Sequence, residues 1–567
     1  MDLRAVIFDL DGVLTHTSKY HARAWTELVR SLGLSPPEDL EERVKGVSRL
    51  ESLAIALGSG FERYTPEERE ALADRKTAIY LQAVKGLGPD DLLPGAARLL
   101  DGLKADGILV VLGSASKNAR PILDGLGITD RFNVIADGHA FTHSKPHPDV
   151  FLTAARLAGV TPAECIVVED AAVGVTAALD GGFVAVGIGT YESLCHSHLF
   201  VQSLTELDAA QLRNLHVQYR ADLWTVARSG YHGEREPSLH TLFAVGNGRL
   251  GVRGWLPELP AAGEPGLFLA GFYGKLTRPP QDPAKWPPFM HYWGAEELAA
   301  DDQIEACIVN CPDFLAMAWE AGDEKLDLLR GDLISLERRL DLRTGVFSAE
   351  AHWRSPGGRE LKLTQRRFAD LERTERIYSQ YVLEPINFSA ALTISAGIMA
   401  TAHNHSEIGS ERLYEVTGTS WDGCVASMRV RGKAGGMEAA FATAVRLPGR
   451  PGTSWTGTES PEGITAACVV PLVQGELLYL ERFSAVADAR REAEPLAAAV
   501  ASVHDALRSS FGEARVRQSV RWREYWRDSD IRIKGGDFDQ LGARFSIYHG
   551  LVAAAWDGAA VCTSPGP

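Results

Sequence analysis

The chain has 567 residues, too many for one hydrophobic core, which predicts about three or four domains of ~150 residues each. Its composition, 45% hydrophobic and 23% charged, is globular, and the formal net charge of −16 argues against a general nucleic-acid or membrane-surface binder. Seven scattered cysteines do not suggest a disulfide framework, and no apolar run approaches ~20 residues. We therefore expect a cytoplasmic multidomain protein without a leader or a membrane span.

Two carboxylates follow the first apolar run. Residues 5–8 predict a buried strand, which ends at Asp9, Asp11 and Gly12. Ligands bind at the carboxyl ends of strands in an open α/β sheet, and two close carboxylates repel unless a cation lies between them or one keeps a proton. We therefore expect Mg²⁺ here, with Asp9 facing an incoming phosphorus and Asp11 moving protons at the leaving oxygen. For the tripeptide alone, a solvated turn is the better interpretation.

A helical insert follows this strand. Helical spacing starts near Tyr20, with Thr17 or Ser18 available as N-cap, and helical stretches continue to about residue 83. Breaks are expected near 58–60 and 64–66. Basic side chains on such an insert fit either a solvated surface or a ligand-binding role.

Strands and helices then alternate, which predicts a parallel sheet. The strand at 108–112 leads to Ser114 and a short run of small and hydroxyl residues with a lysine, which predicts a phosphate seat at a helix start. Prolines on either side of His147 are expected to hold Lys145 over the same edge of the sheet. A third buried strand, at 165–168, ends in Glu169 and Asp170, further oxygen ligands for a hard cation.

In order and spacing, these groups resemble the four motifs of the haloacid dehalogenase superfamily, and the insert is similar to that of its beta-phosphoglucomutase family. The resemblance covers roughly residues 1–205. It implies that Asp9 becomes a phospho-aspartate, that Asp11 is the general acid/base, and that Ser114 and Lys145 hold the transferring phosphoryl group. The implied Mg²⁺ ligands are Asp9, the Asp11 backbone, Glu169 and Asp170.

The same resemblance assigns substrate binding to a larger set of residues. These are Thr17, His21, Lys45, Gly46, Val47, Arg49, Ser52, Lys76, Ala115, Ser116, Lys117 and Asn118. Arg49 and residues 116–118 would grip the second phosphate of glucose 1,6-bisphosphate, whereas a hydrolytic relative needs one phosphate seat. His21 and Lys76 would act from a cap whose closure excludes water. The implied reaction interconverts β-glucose 1-phosphate and glucose 6-phosphate; a sugar-phosphate phosphatase is the alternative.

The composition changes after about residue 216. Short alternating strands and frequent Gly and Pro turns predict a large antiparallel sandwich, and helices return only after residue 485. A G-x-G-x-x-G pattern at 246–251 lacks the following helix that dinucleotide binding requires, since Gly254 and Pro257 prevent one. The histidines at 139, 143 and 147, and the Cys195 to His198 run, are interpreted as ordinary loop residues because no second ligand cluster accompanies them.

Residues 236–254, with Arg339 to Gly345, resemble the opening of the family 65 glycoside phosphorylases, which include trehalose, maltose and kojibiose phosphorylases. This resemblance covers about 216–560. It implies a sandwich ahead of an (α/α)₆ barrel, and the helix at 541–555 would start that barrel, with an apolar face that has nothing to pack on. We therefore expect no phosphorylase activity from this half. The alternatives are a disaccharide phosphorylase, or a carbohydrate-binding or dimerising module.

The expected fold is thus multidomain. A Rossmann-like α/β domain with a parallel sheet would span 1–215, with its helical cap at about 16–90. A β-sandwich would span 216–485, and linker helices with the start of the barrel would span 486–567. The expected partners are β-glucose 1-phosphate and glucose 1,6-bisphosphate, no nucleic acid, no membrane, and a second copy of the chain through the sandwich half.

Overall fold

The structure is a computed structural model that describes residues 2–16, 18–37, 39–44, 49–84, 86–260, 265–278, 303–406, 409–450, 452–533 and 536–554. The chain divides into two compact units, Met1–Trp224 and Thr225–Pro567. Over the described ranges, no helix has both the length and the apolar character that a membrane crossing needs.

The first unit contains a six-stranded parallel sheet, as the alternating pattern predicts. Its strands are β1 (Ala5–Phe8), β2 (Leu109–Gly113), β3 (Val134–Ala136), β4 (Cys165–Glu169), β5 (Val184–Ile188) and β6 (Leu199–Val201), in the order β3-β2-β1-β4-β5-β6. Alternate residues of β1 face opposite sides, so Val6 and Phe8 join one buried cluster while Ala5 and Ile7 join another. The sheet is therefore covered on both faces, as parallel sheets require.

Ten helices of this unit are described: α1 (Ser18–Ser31), α2 (Leu40–Arg43), α3 (Arg49–Leu57), α4 (Pro66–Val84), α5 (Ala96–Ala105), α6 (Ala119–Leu126), α7 (Asp149–Leu157), α8 (Ala172–Asp180), α9 (Tyr191–Leu194) and α10 (Ala209–Tyr219). Helices α1–α4 form the expected helical insert, with a core of its own around Trp25, Leu28 and Leu53. The two segments that join it to the sheet are tied together, because the Leu93 N–H donates to the Leu14 carbonyl at 2.9 Å.

The second unit is built of antiparallel sheets. Its strands are β7 (Thr225–Ser229), β8 (Val245–Gly246), β9 (Leu250–Val252), β10 (Leu267–Arg278), β11 (Gln303–Asn310), β12 (Asp313–Ala321), β13 (Glu324–Lys325), β14 (Asp332–Asp341), β15 (Val346–Arg354), β16 (Glu360–Ala369), β17 (Arg376–Pro385), β18 (Ala390–Met399), β19 (Asn404–Ser406), β20 (Gly409–Glu411), β21 (Tyr414–Trp421), β22 (Ala426–Gly432), β23 (Glu438–Arg446), β24 (Thr456–Ser460), β25 (Gly463–Leu472) and β26 (Leu478–Asp488).

Two of these sheets face each other as in a sandwich. One has the order β21-β22-β23-β26-β17-β16-β15-β14-β7 and the other β13-β12-β18-β25-β24. Arg482 on β26 crosses between them, since its guanidinium donates to the carbonyls of Phe314 and Gly397 at 2.6 and 2.7 Å. The residues of the G-x-G-x-x-G pattern form the β8–β9 hairpin, so a strand stands where a dinucleotide site would need a helix.

Helices α11 (Glu236–Leu242), α12 (Pro495–Ala506), α13 (Phe511–Ser529) and α14 (Asp537–Ala553) belong to the same unit. The expectation that the last helix has nothing to pack on is wrong. Tyr548 of α14 is buried, and its ring stacks on Trp522 of α13 with centroids 5.1 Å apart. The Val552 carbonyl accepts the Gly248 N–H at 2.8 Å, which ties the helix end to the β8–β9 turn.

Candidate active site

Three neighbouring strands of the first unit end at one edge of the sheet. Phe8 is in register with Leu112 on β2 and with Val168 on β4. The next residues along these strands therefore emerge side by side, and the Asp9 N–H donates to the Val168 carbonyl at 3.0 Å. This is the edge at which the sequence predicts a cation and a phosphoryl group.

A buried ion-pair network lies at this edge. Lys145 Nζ is 2.7 Å from Asp9 Oδ1 and 2.5 Å from Glu169 Oε1, although the three residues are far apart in sequence. Burial raises the pKa of Asp9 to about 6, against the opposing effect of the Lys145 charge. Burial alone would lower the pKa of Lys145, but the charges of Asp9 and Glu169 raise it above its usual range. Lys145 is therefore a fixed cation beside the predicted nucleophile.

Asp11 is placed to exchange protons. Its backbone N–H donates to Asp9 Oδ2 at 3.1 Å, which holds the Asp9 carboxylate against the Asp11 backbone. Burial, followed by the charge of Asp9, raises the pKa of Asp11 to about 7. Its Oδ1 is buried and finds no hydrogen-bond partner among the residues that the structure describes. Such a carboxyl can hold or release a proton near neutral pH.

The helical insert presents a basic pair to Asp11. His21 Nε2 lies 3.9 Å from Asp11 Oδ2, and His21 Nδ1 lies 2.7 Å from Lys76 Nζ. Burial lowers the pKa of Lys76 to about 7 and, together with the charge of Lys76, holds the pKa of His21 well below its ordinary value. Near neutral pH, His21 is therefore neutral while Lys76 lies close to the midpoint of its titration.

Sequence reasoning missed two aromatic side chains that enclose this pair. The Lys76 ammonium lies 4.8 Å from the centre of the Trp25 ring and 5.0 Å from that of Tyr80. Trp25 follows His21 by four residues on α1, and Tyr80 follows Lys76 by four on α4. That i, i+4 spacing is the sequence signal that could have identified them.

The loop predicted to bind phosphate, residues 114–118, is held in shape by hydrogen bonds to its own hydroxyl groups. The Ser116 N–H donates to Ser114 Oγ and the Asn118 N–H to Ser116 Oγ, each at 3.2 Å. The loop leads directly into α6, which starts at residue 119. Ser114 is buried, Ala115 is half-buried, and Lys117 is exposed. The loop therefore offers polar groups from the inner end of the site to solvent.

Two glycines make room for the acidic pair that ends β4. An ideal Cβ on Gly12, whose φ is +82°, would lie 1.9 Å from Asp170 Oδ2. A Cβ on Gly174 would lie 1.8 Å from Glu169 Oε1. The carboxylates of the predicted ligand set therefore fill space that only glycine leaves open. Carboxylate oxygens in a space that a Cβ would fill fit a hard divalent cation such as Mg²⁺.

Of the remaining residues predicted to bind substrate, the structure describes some and not others. Arg49 starts α3 and forms ion pairs with Glu70 and Asp74, the latter at 2.5 Å, while Ser52 is buried on the same helix. The described structure thus places Arg49 against acidic side chains of α4 rather than free for a phosphate. The predictions for Thr17, Lys45, Gly46 and Val47 lie outside the described residues.

The chain matches two protein-family models. Residues 3–182 match the family described as haloacid dehalogenase-like hydrolase, and residues 226–525 match the N-terminal domain of glycosyl hydrolase family 65. The beta-phosphoglucomutase of Bacillus subtilis (strain 168) is 41% identical over 220 residues, which cover 38% of this chain and 97% of that protein.

The second unit is similar to phosphorylases. The alpha,alpha-trehalose phosphorylase of Geobacillus stearothermophilus is 24% identical over 347 residues, covering 59% of this chain and 43% of that protein. The kojibiose phosphorylase of Halothermothrix orenii is 23% identical over 342 residues, covering 58% and 40%. The chain thus spans about two fifths of the length of these relatives. It belongs to the haloacid dehalogenase-like hydrolase family through its first unit and to glycosyl hydrolase family 65, as that family's N-terminal domain, through its second.

Proposed function

We propose that the first unit is an Mg²⁺-dependent beta-phosphoglucomutase that interconverts β-glucose 1-phosphate and glucose 6-phosphate. The observation that carries this proposal is the meeting of Asp9, Asp11 and Lys145 beneath two cap residues, His21 and Lys76. The likeness to the Bacillus subtilis beta-phosphoglucomutase supports the choice of a glucose phosphate.

Asp9 is proposed as the nucleophile. Its carboxylate attacks phosphorus and carries the phosphoryl group as an acyl phosphate between the two half-reactions. Lys145, 2.7 Å away, favours the ionised form of Asp9, and together with Ser114 it would spread positive charge over the equatorial oxygens of the phosphoryl group. Asp9, Asp11, Glu169 and Asp170 would hold Mg²⁺. When bound, the ion would supply further charge neutralisation at those oxygens.

Asp11 is proposed to move the proton in both directions. In the first half-reaction it accepts the proton of the sugar 6-hydroxyl as that oxygen takes the phosphoryl group from phospho-Asp9. In the second, the bisphosphate has turned round, Asp9 takes the 1-phosphoryl group, and Asp11 returns the proton to the departing O1. A pKa of about 7 suits both roles because neither protonation state is disfavoured at neutral pH.

A second phosphate seat distinguishes a mutase from a phosphatase. We propose that Arg49, Ser116, Lys117 and Asn118 hold the phosphate that is not reacting. In the described structure Arg49 is paired with Glu70 and Asp74, so an incoming phosphate has to displace these carboxylates. Closure of the cap over the bisphosphate would also keep water from phospho-Asp9.

The test is an assay that separates transfer from hydrolysis. The full chain is incubated with β-glucose 1-phosphate, a trace of glucose 1,6-bisphosphate and Mg²⁺, while glucose 6-phosphate and free phosphate are followed together. The proposal requires glucose 6-phosphate to form without an equivalent release of phosphate, and to stop forming when a chelator is added. Steady release of inorganic phosphate without isomerisation would instead identify a sugar-phosphate phosphatase.

For the second unit, we infer that this chain does not by itself cleave disaccharides, because its match is to an N-terminal domain. A family 65 phosphorylase partner would supply β-glucose 1-phosphate, the substrate proposed for the first unit. The check is incubation of the chain with phosphate and trehalose, maltose or kojibiose. Release of β-glucose 1-phosphate would contradict the inference. The six cysteines that the structure describes are not paired in disulfides.

A further inference from the structure

A second group of metal-ligating side chains lies in the loop before α7 and at the first residue of that helix. His143, His147 and Asp149 each offer one ligand atom, and these atoms all lie within 4.8 Å of one another. We propose that these three residues bind Zn²⁺ or a chemically similar divalent ion, at a site separate from the carboxylate cluster around Asp9.

The spacing of the donor atoms supports this proposal. In a tetrahedral zinc site with bonds of about 2.1 Å, neighbouring ligand atoms are roughly 3.4 Å apart. His143 Nδ1 and Asp149 Oδ2 are 3.5 Å apart, so this pair already has that separation. The rings of His143 and His147 have centroids 4.6 Å apart. A rotation of the His147 side chain would bring its ligand atom to the same spacing from the other two.

The backbone already orients the carboxylate. Asp149 Oδ2 accepts the N–H groups of Thr142 and His143 at 2.9 and 3.0 Å, while the Asp149 N–H donates to His147 Nδ1 at 3.3 Å. The two bonds to Oδ2 hold the carboxylate in position before an ion arrives, whereas the long bond to His147 Nδ1 has to open for that nitrogen to bind the ion. His143 Nε2 is buried and has no hydrogen-bond partner among the described residues. Because Nδ1 is the atom that faces Asp149, Nε2 would carry the ring proton when Nδ1 binds the ion.

The donor types select the ion. Two imidazoles and one carboxylate suit Zn²⁺, Co²⁺ or Ni²⁺, whereas Mg²⁺ prefers oxygen ligands throughout. All three residues are half-buried, so an ion can enter from solvent and keep an open fourth position. Lys145 lies between the two histidines in sequence, so an ion bound here would also restrain the loop that carries Lys145.

The experiment is a metal titration of the full chain, first treated with chelator and then saturated with Mg²⁺. Zn²⁺ binding is measured by calorimetry, and Co²⁺ binding by the visible absorption of the tetrahedral ion. We expect His147→Ala and His143→Gln each to lose one equivalent of Zn²⁺, or to bind it at least about 100-fold more weakly, and to lose the Co²⁺ absorption.

The matched control is His139→Ala. His139 lies four residues before His143, is exposed, and is not part of the cluster. This variant should bind both metals as the unmodified chain does. Melting temperatures without metal establish that the variants fold; Zn²⁺ should raise the melting temperature of the unmodified chain and of His139→Ala only. Equal Zn²⁺ stoichiometry, affinity and Co²⁺ absorption in the unmodified chain and in folded His143→Gln would overturn the proposal.

Discussion

Each unit contains a buried aspartate whose pKa is raised by its surroundings to a similar extent. Asp9 is 6% exposed and Asp313 is 3% exposed, and burial raises the pKa of each to about 6. Their neighbours differ. Asp9 lies against Lys145 and Asp11 at an open sheet edge, whereas Asp313 Oδ1 accepts the Leu315 N–H at 2.9 Å inside the sandwich. A shifted pKa therefore does not identify chemistry unless other reactive groups meet at the same place.

The buried cations show the same contrast. Lys145 is held by two carboxylates, while Arg482 donates to three carbonyl groups and to Thr443 Oγ1 at 2.9 Å. Burial lowers the pKa of Arg482 to about 10, which still leaves it charged. In the sandwich, the charge serves to join strands. At the sheet edge, the Lys145 charge is proposed to hold a phosphoryl group.

Replacing the two aspartates is the strongest test of the contrast. Asp9→Asn should reduce glucose phosphate isomerisation by at least about 10⁴-fold, because an amide cannot form the acyl phosphate. Asp313→Asn should leave the rate within about twofold, since no phosphoryl transfer passes through the sandwich. The rates of both variants are measured as formation of glucose 6-phosphate from β-glucose 1-phosphate. Substantial isomerisation by Asp9→Asn would remove the basis for calling this aspartate the nucleophile.

Replacing the two cations separates activity from stability. Lys145→Met leaves Asp9 and Glu169 buried without their counter-ion, so we expect a loss of about 3–5 kcal/mol in the unfolding free energy of the first unit and a loss of activity of about 10³-fold.

Arg482→Met leaves several buried carbonyl groups without a donor. We expect the unfolding free energy of the second unit to fall by about 3 kcal/mol and the isomerisation rate per folded molecule to stay unchanged. Urea denaturation and kinetics on the same preparations check both variants. A rate lost equally in the two would show that the contrast between these sites is mistaken.

Two glycines provide a test of the predicted Mg²⁺ ligands. Gly12 and Gly33 have φ values of +82° and +74°, so alanine strains either backbone by roughly 1–2 kcal/mol. Only at Gly12 does the new Cβ collide with Asp170, because no described atom lies within 4 Å of the Cβ position at Gly33. Gly12→Ala should therefore weaken Mg²⁺ binding about 10- to 100-fold. Calorimetry with Mg²⁺ should show no such change for Gly33→Ala.

Taken per pH unit, the smallest predicted effect is a pH dependence of stability. With its pKa lowered to about 7, folded Lys76 releases its proton while the unfolded chain keeps one up to a pKa near 10.5. The unfolded state binds more protons in this window, so Lys76 makes stability rise between about pH 7 and pH 10.5, by at most about 1.4 kcal/mol per pH unit.

Lys76→Met should abolish that slope in chelator-treated protein, whereas Lys104→Met, a change at an exposed lysine of α5, should retain it. The measurement is urea denaturation at several pH values. Identical slopes in the unmodified chain and Lys76→Met would contradict the assignment of the low pKa.

The acidic sheet edge was predictable because its signals are local. Apolar runs that stop at Asp9 and Glu169 predict strand ends, and parallel topology brings strand ends together. The contact of Lys76 with Trp25 was not predictable in this way, because it depends on how α1 packs on α4. The partnership of Asp149 with His143 was missed because backbone N–H groups fix that carboxylate, and no side-chain pattern records them.

The position of β26 has a consequence for how the protein folds during its synthesis on the ribosome. Every strand of the parallel sheet has been synthesised by Val201, so that sheet can close early. The nine-stranded sheet needs β26 between β17 and β23, and this strand ends only at Asp488. Until then β17 and β23 each have one edge without its partner, so the sheet stays in two parts and the later unit is the one more exposed to misassembly during synthesis.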